Sequence, residues 1–151
     1  MKFPRVVVCA FDDWLAAQLR EAVAERKWVL KEVRTADGWV NEATTGACVA
    51  VVQADPTADT DKALSAVGRL HRANPDADVV VVCDLKLNDD DRPPWTAAAL
   101  DLGARLVLYP PLTRAVLEDA VVGLMEHRFG SPPPPVKGDE IDLAAGEYEA
   151  E

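Results

Sequence analysis

Short apolar runs alternate along this chain with segments of helical periodicity, and this alternation restricts the fold more than any other feature. Four runs are apolar at consecutive positions: Val6 to Val8, Cys48 to Val52, Val79 to Val82 and Leu106 to Leu108. A strand that is apolar on both sides needs a sheet covered on both faces. The runs therefore predict central parallel strands, whereas the partly charged segment Val29 to Val33 predicts an edge strand.

Between the runs, apolar residues recur every three or four positions, which is typical of helices that bury one stripe on a sheet. The pattern predicts three helices, over Leu15 to Val23, Ala63 to Leu70 and Val116 to Leu124, and two shorter ones near Gly38 to Thr44 and Trp95 to Leu102. Side-chain oxygens that could cap the three longer helices belong to Asp12 or Asp13, Asp59 or Thr60, and Thr113. Strands and helices in strict alternation, joined by right-handed crossovers, predict an α/β fold with a doubly wound sheet.

The composition changes abruptly at Gly130, where Ser131 and four consecutive prolines follow the last periodic segment. We expect residues 1–130 to form one folded domain and residues 131–151 to be a proline-rich spacer followed by a disordered acidic tail. Beyond the prolines the tail carries one lysine against six acidic residues. Because it offers little apolar surface, truncation at Gly130 should leave the melting temperature nearly unchanged.

The overall charge excludes some partners and leaves others open. A net charge of -10 repels phosphate backbones and anionic lipid, so neither nucleic acid nor a membrane is an expected partner. No apolar run is long enough for a membrane span or a signal peptide, and the three widely spaced cysteines fit reduced thiols, so we expect a cytoplasmic protein. No nucleotide-binding, hydrolase or metalloprotease motif occurs, and the sequence predicts no cofactor and no enzymatic activity.

Two local motifs add a family resemblance to this pattern. The segment Gly103 to Leu112, which reads GARLVLYPPL, and Ala36-Asp37-Gly38 after the second strand lie where similar motifs lie in receiver domains of two-component response regulators. Residues 4–129 resemble such a receiver domain. The resemblance implies a flavodoxin-like, five-stranded parallel sheet of order 2-1-3-4-5, with helices on both faces.

Receivers of this family accept a phosphoryl group from a histidine kinase, and the resemblance assigns each of their site positions to a residue here. Gln53 takes the place of the acceptor aspartate, Cys83 that of the hydroxyl residue and Pro110 that of the lysine, while Ala10 and Phe11 replace the acidic pair that holds magnesium. An amide cannot form an acyl phosphate, and proline supplies no cation. We therefore expect a stand-alone pseudo-receiver that acts through phosphorylation-independent protein–protein interaction.

A displaced phosphorylation site is the alternative for the same edge of the sheet. Asp12, Asp13 and Asp55 each lie two positions beyond the corresponding family carboxylate, so their mutual spacing is kept. Together they could hold Mg²⁺, with Asp55 as the acceptor of a genuine phosphorelay receiver. Otherwise Asp12 or Asp13 caps a helix, and Asp55 begins a turn before Pro56.

The expected partner is a protein, either a histidine kinase or another signalling protein, or a second copy in a homodimer. Receivers generally signal through the fourth helix, fifth strand and fifth helix, which implies partner-binding residues Trp95 and Tyr109, with Trp95 as an exposed anchor. The acidic segment Asp84 to Pro94 is expected to be a solvated loop, or a metal site at Asp89 to Asp91. A flavodoxin-like enzyme or ligand-binding domain is supported by the fold class alone.

The remaining expectations concern two histidines, one cysteine and one peptide bond. His71 and His127 should lie in the last turns of their helices, and Cys83 is the strand-end thiol nearest the functional edge. The bond between Pro110 and Pro111 is expected to be cis, because receivers commonly keep a cis peptide there and proline lowers its cost.

Overall fold

A computed structural model describes residues 4–10, 13–54, 60–83 and 87–130, apart from the side chains of residues 60 and 61. The expectations for Phe11, Asp12, Asp55, Asp59 and the segment 131–151 lie outside these residues. No helix among the described residues is long and apolar enough to cross a membrane.

Strands and helices alternate along the described chain, as the sequence predicts. The strands are β1 (Arg5–Cys9), β2 (Val29–Val33), β3 (Cys48–Ala54), β4 (Ala77–Cys83) and β5 (Ala104–Leu108). The helices are α1 (Trp14–Glu25), α2 (Ala36–Ala43), α3 (Thr60–Ala73), α4 (Arg92–Asp101) and α5 (Arg114–Phe129). Several of these elements extend a few residues beyond the apolar runs that predicted them.

The strands form one parallel sheet in the order β2-β1-β3-β4-β5, which confirms the predicted fold class. Every residue of β3 and β4 is buried because helices cover both faces of these strands. The prediction of a central strand at Leu106 to Leu108 is wrong. β5 lies at an edge, and Arg105 and Leu106 are exposed, because only one side of β5 has a neighbouring strand.

Two apolar clusters hold the helices on the sheet, one on each face. The first contains Trp39, Val67 and Ala99, so α2, α3 and α4 share one face; the second contains Leu15 and Leu117, so α1 and α5 share the other. Trp39 is fully buried, and its Nε1 donates a hydrogen bond to the Val7 carbonyl oxygen at 3.2 Å.

The helix termini test the predicted caps. Thr113 caps α5, since its hydroxyl accepts a hydrogen bond from the amide of Val116, as predicted. Asp13 occupies the N-cap position of α1 but makes no side-chain cap, so that prediction is wrong for the described candidate. Beyond α4, Gly103 has a φ of 118°, and a Cβ there would lie 2.4 Å from Cγ of His71. Both reasons restrict this turn to glycine.

A buried carboxylate joins three elements at the amino end of the sheet. Asp78 on β4 accepts two hydrogen bonds from Arg128 in the last turn of α5, at 2.9 and 3.1 Å. Arg105 approaches the same carboxylate to 3.5 Å. Arg105 can do so because it is an extra residue in β5: Ala104 pairs with Val79 and Leu106 with Val80. The hydrogen bond to Asp78 raises the pKa of Arg128, so the guanidinium stays charged.

Candidate functional site

The carboxyl edge of the sheet is the place where a receiver holds its phosphoryl group, and the structure shows what stands there. Ala10 follows β1, Gln53 lies in β3 one residue before its end, Cys83 ends β4, and Pro110 follows β5 at the second position. Gln53 is only 4% exposed, and Cys83 is fully buried. A receiver acceptor must be reachable by its phosphodonor, and neither of these positions is open.

Gln53 and Cys83 lie on adjacent strands, one register position apart. Gln53 pairs in register with Val82, which belongs to the cluster under α1 and α5. Because side chains alternate along a strand, Cys83 points to the opposite face, under α2, α3 and α4.

An arginine that no sequence pattern predicted supplies the positive charge at this edge. Arg34, just after β2, forms an ion pair with Asp13 and approaches a carboxylate oxygen of Glu32 to 3.2 Å, without the alignment of a hydrogen bond. Its other terminal nitrogen donates to the carbonyl oxygen of Ala10 at 3.4 Å. Asp13 is therefore engaged by a protein cation instead of capping α1.

The described residues at this edge do not fit a magnesium ion. Ala10 and Gln53 contribute no carboxylate, and Asp13 is paired with Arg34. Among the described parts of the chain, no group of three or more histidine, cysteine, aspartate or glutamate side chains could hold a metal. The proposed acidic site needs Asp12 and Asp55, which lie outside the described residues.

The three cysteines are not joined in disulfides, which agrees with the predicted reduced thiols, and all three are buried. Burial raises the pKa of the Cys9 thiol, and the nearby Arg34 guanidinium offsets only part of that effect. Burial likewise raises the pKa of Cys48. A raised pKa keeps a thiol protonated and a poor nucleophile near neutral pH.

The loop before α4 ends earlier than the predicted segment Asp84 to Pro94. α4 begins at Arg92, so Pro93 and Pro94 lie in its first turn, where proline is tolerated because the first amides have no intrahelical acceptor. The side-chain oxygen of Asn88 accepts hydrogen bonds from the amides of Asp90 and Asp91. The carboxylates of Asp89 to Asp91 are exposed, so the described part of the loop is a solvated turn.

Trp95 and Tyr109 lie together, but neither is an exposed anchor. Trp95 is half-buried against the cluster under α3, so the expected exposure of its ring is wrong. Tyr109 is also half-buried, and the two rings meet edge to face with centroids 6.3 Å apart. Whether either residue contacts a partner stays a prediction. The bond between Pro110 and Pro111 is cis, as predicted.

Exposed apolar side chains mark the surface formed by α4, β5 and α5. Leu100 on α4 is 46% exposed, Leu106 on β5 is 36% exposed and Val116 on α5 is 39% exposed. Arg114 pairs with Glu21 of α1, which fixes the side of α5 that faces α1. Helical spacing then places Val116 on the opposite side of α5, towards β5. These three residues define the α4–β5–α5 face.

The sequence matches no family model and no curated protein. Solved structures do match. A CheY-like response regulator receiver domain protein from Methanospirillum hungatei has a TM-score of 0.67 at 11% identity, over 84% of this chain and 97% of its own. A pilus assembly-related protein from Burkholderia pseudomallei has a TM-score of 0.61 at 18% identity, over 87% and 95%.

A third match, a response regulator from Burkholderia pseudomallei with a phosphorylated aspartic acid, has a TM-score of 0.60 at 17% identity, over 82% of this chain and 69% of its own. The chain therefore has the fold of response regulator receiver domains. The matched proteins include a regulator phosphorylated on aspartate and a protein related to pilus assembly, so the shared fold does not by itself fix the chemistry at the carboxyl edge.

Proposed function

We propose that this protein is a pseudo-receiver signalling module that acts without phosphorylation, through protein–protein interaction and not as an enzyme. The observation that carries the proposal is Gln53, a buried amide inside β3 at the position that corresponds to the receiver acceptor. Neither it nor Pro110 can perform the chemistry of the residue it replaces. The protein is proposed to work in the cytoplasm.

The charge arrangement beside Gln53 supports the same proposal. In a receiver, carboxylates at this edge attract a divalent cation. Here the guanidinium of Arg34 already pairs with Asp13 and binds the carbonyl oxygen of Ala10. A protein cation therefore contacts these groups in the absence of a metal or a phosphodonor.

The proposed binding surface is the α4–β5–α5 face, with Trp95 and Tyr109 behind it. Its exposed leucines, not Trp95, are the side chains available to a partner. Asp89 to Asp91 and Asp101 lie at the two ends of α4, and such exposed carboxylates favour a basic partner over an acidic one. A signalling protein, such as a histidine kinase, and a second copy of this chain are the proposed kinds of partner.

The proposal is tested by incubating the full chain with acetyl phosphate and Mg²⁺ and measuring its intact mass. We expect no phosphoryl adduct, while a phosphorylatable receiver treated in parallel gains one. Beryllofluoride should likewise produce no change in the amide NMR spectrum.

An adduct would overturn the proposal, and its position would identify the alternative. If Asp55→Asn abolished the adduct while the control Asp37→Asn retained it, the protein would be a genuine phosphorelay receiver with a displaced acceptor. Asp37 is an exposed carboxylate just after β2. Asp37 is a matched control because it is exposed and pairs only through a surface ion pair with Arg69 among the described residues.

A further inference from the structure

The side chain of Tyr109 connects the end of β5 to the first turns of α4. Its hydroxyl oxygen lies 2.5 Å from Oγ1 of Thr96 and 3.3 Å from the carbonyl oxygen of Arg92. The Arg92 guanidinium carbon stands 4.9 Å from the centre of the phenol ring, and Trp95 meets the ring edge to face. One tyrosine therefore contacts Arg92, Trp95 and Thr96.

The two hydroxyl contacts form a consistent hydrogen-bond chain. A carbonyl oxygen only accepts, so the Tyr109 hydroxyl donates a hydrogen bond to the backbone carbonyl oxygen of Arg92. The Thr96 hydroxyl then donates to the Tyr109 oxygen, which keeps lone pairs to accept it. Neither hydroxyl competes with the other for a proton.

α4 has few other attachments in the described structure. Ala99 is its one buried residue, and Asp91 at its N-cap position makes no side-chain cap. The buried Nε1 of Trp95 and Nε of Arg92 have no hydrogen-bond partner among the described residues. The Tyr109 contacts are thus the main polar attachment of the beginning of α4 to the sheet.

We propose that Tyr109 is a positioning residue that holds the start of α4 on the end of β5 in one arrangement. This inference rests on the proposed function and deepens it, because it explains how the α4–β5–α5 face stays presented without a modification at the carboxyl edge. Removal of the hydroxyl should release the first turns of α4 while the ring and the rest of the sheet stay in place.

The test is amide hydrogen exchange followed by mass spectrometry on the full, unphosphorylated chain and on Tyr109→Phe. Peptides covering residues 92–101 should exchange about five- to tenfold faster in the variant, the factor that the loss of about one net hydrogen bond gives. Thr96→Val, which removes one of the two bonds, should have a smaller effect on the same peptides. Peptides from β3 and β4 should be unchanged.

Thr44→Val is the matched control, because the Thr44 hydroxyl also donates to a carbonyl, that of Val40, but does so in α2. It should leave exchange in α4 unchanged. Unchanged exchange of residues 92–101 in Tyr109→Phe, or acceleration equal in all peptides, would overturn the inference. Either result is independent of phosphoryl transfer, so failure here and failure of the proposed function are distinguishable.

Discussion

Replacement of Arg128 by methionine should destabilise the domain by leaving a buried carboxylate short of its main partner. The Asp78 side chain is 4% exposed, and Arg128 donates both of the short hydrogen bonds that this carboxylate accepts. Methionine keeps much of the apolar stem of the arginine but removes the charge and the donors. Arg105 would remain 3.5 Å away, as the less direct of the two cations.

The magnitude follows from the cost of an unpaired buried charge, which is about 3 to 5 kcal/mol when a buried pair is broken. Two features reduce it here: Arg105 still faces Asp78, and the Arg128 side chain is 25% exposed, so water can reach the vacated site. We expect a loss of about 2 kcal/mol in the free energy of unfolding, and a fall in Tm of about 8 °C for a domain of this size. Urea denaturation gives the first value and calorimetry the second.

A second substitution separates charge from packing. In Asp78→Val/Arg128→Met the buried carboxylate is gone, so the double variant should be more stable than Arg128→Met alone, and within about 1 kcal/mol of the parent. Arg105→Ala is the control: because Arg105 is 52% exposed, its loss should cost at most about 0.5 kcal/mol. A double variant no more stable than the single one, or an Arg105→Ala as costly as Arg128→Met, would show that an unpaired Asp78 charge is not the cause of the loss.

Two further predictions concern glycines and thiols. Gly103→Ala should lower the free energy of unfolding by more than about 1 kcal/mol, because Gly103 has a positive φ and a Cβ there would lie too close to His71. Gly123→Ala, inside α5 with open space at its Cβ, should instead raise the free energy of unfolding by about 0.5 to 1 kcal/mol. Urea denaturation of both variants tests the contrast. Burial raises the pKa values of Cys9 and Cys48, so the folded state favours their neutral thiols. The stability that these neutral thiols contribute is fully present below the usual thiol pKa and is lost as pH rises through the folded-state pKa values. The parent should therefore lose more stability than Cys9→Ala/Cys48→Ala on alkaline titration, and an equal loss in both would contradict the sign.

The sequence predicted what local patterns encode. Continuous apolar runs found the strands, and the resemblance to receivers gave the sheet order, which the structure confirms. Thr113 before a periodic segment predicted a cap that exists, and Gly103 lies where a turn needs positive φ. These features depend on neighbouring residues, so a single sequence is enough to show them.

Contacts between distant segments could not be predicted. Asp78 directly precedes the apolar run Val79 to Val82, and nothing in that pattern points to Arg128 fifty positions away. Asp13 was expected to cap α1 because it lies just before the periodic segment. Its pairing with Arg34 depends on how β1 and β2 align, which the local pattern does not show. Trp95 was expected to be exposed because it follows two prolines, yet those prolines lie inside the first turn of α4, which turns its ring towards the sheet.

The extra residue in β5 limits how this protein can assemble. An edge strand with regular spacing offers a row of free amides and carbonyls on which another chain can extend the sheet. Arg105 breaks that spacing and places a charge there, and on the other edge β2 carries Lys31 and Glu32. Both edges are therefore poor templates for strand addition or fibre growth. Side chains on the faces are therefore better suited to association than the sheet edges, and substitutions there can change a partner without altering the sheet.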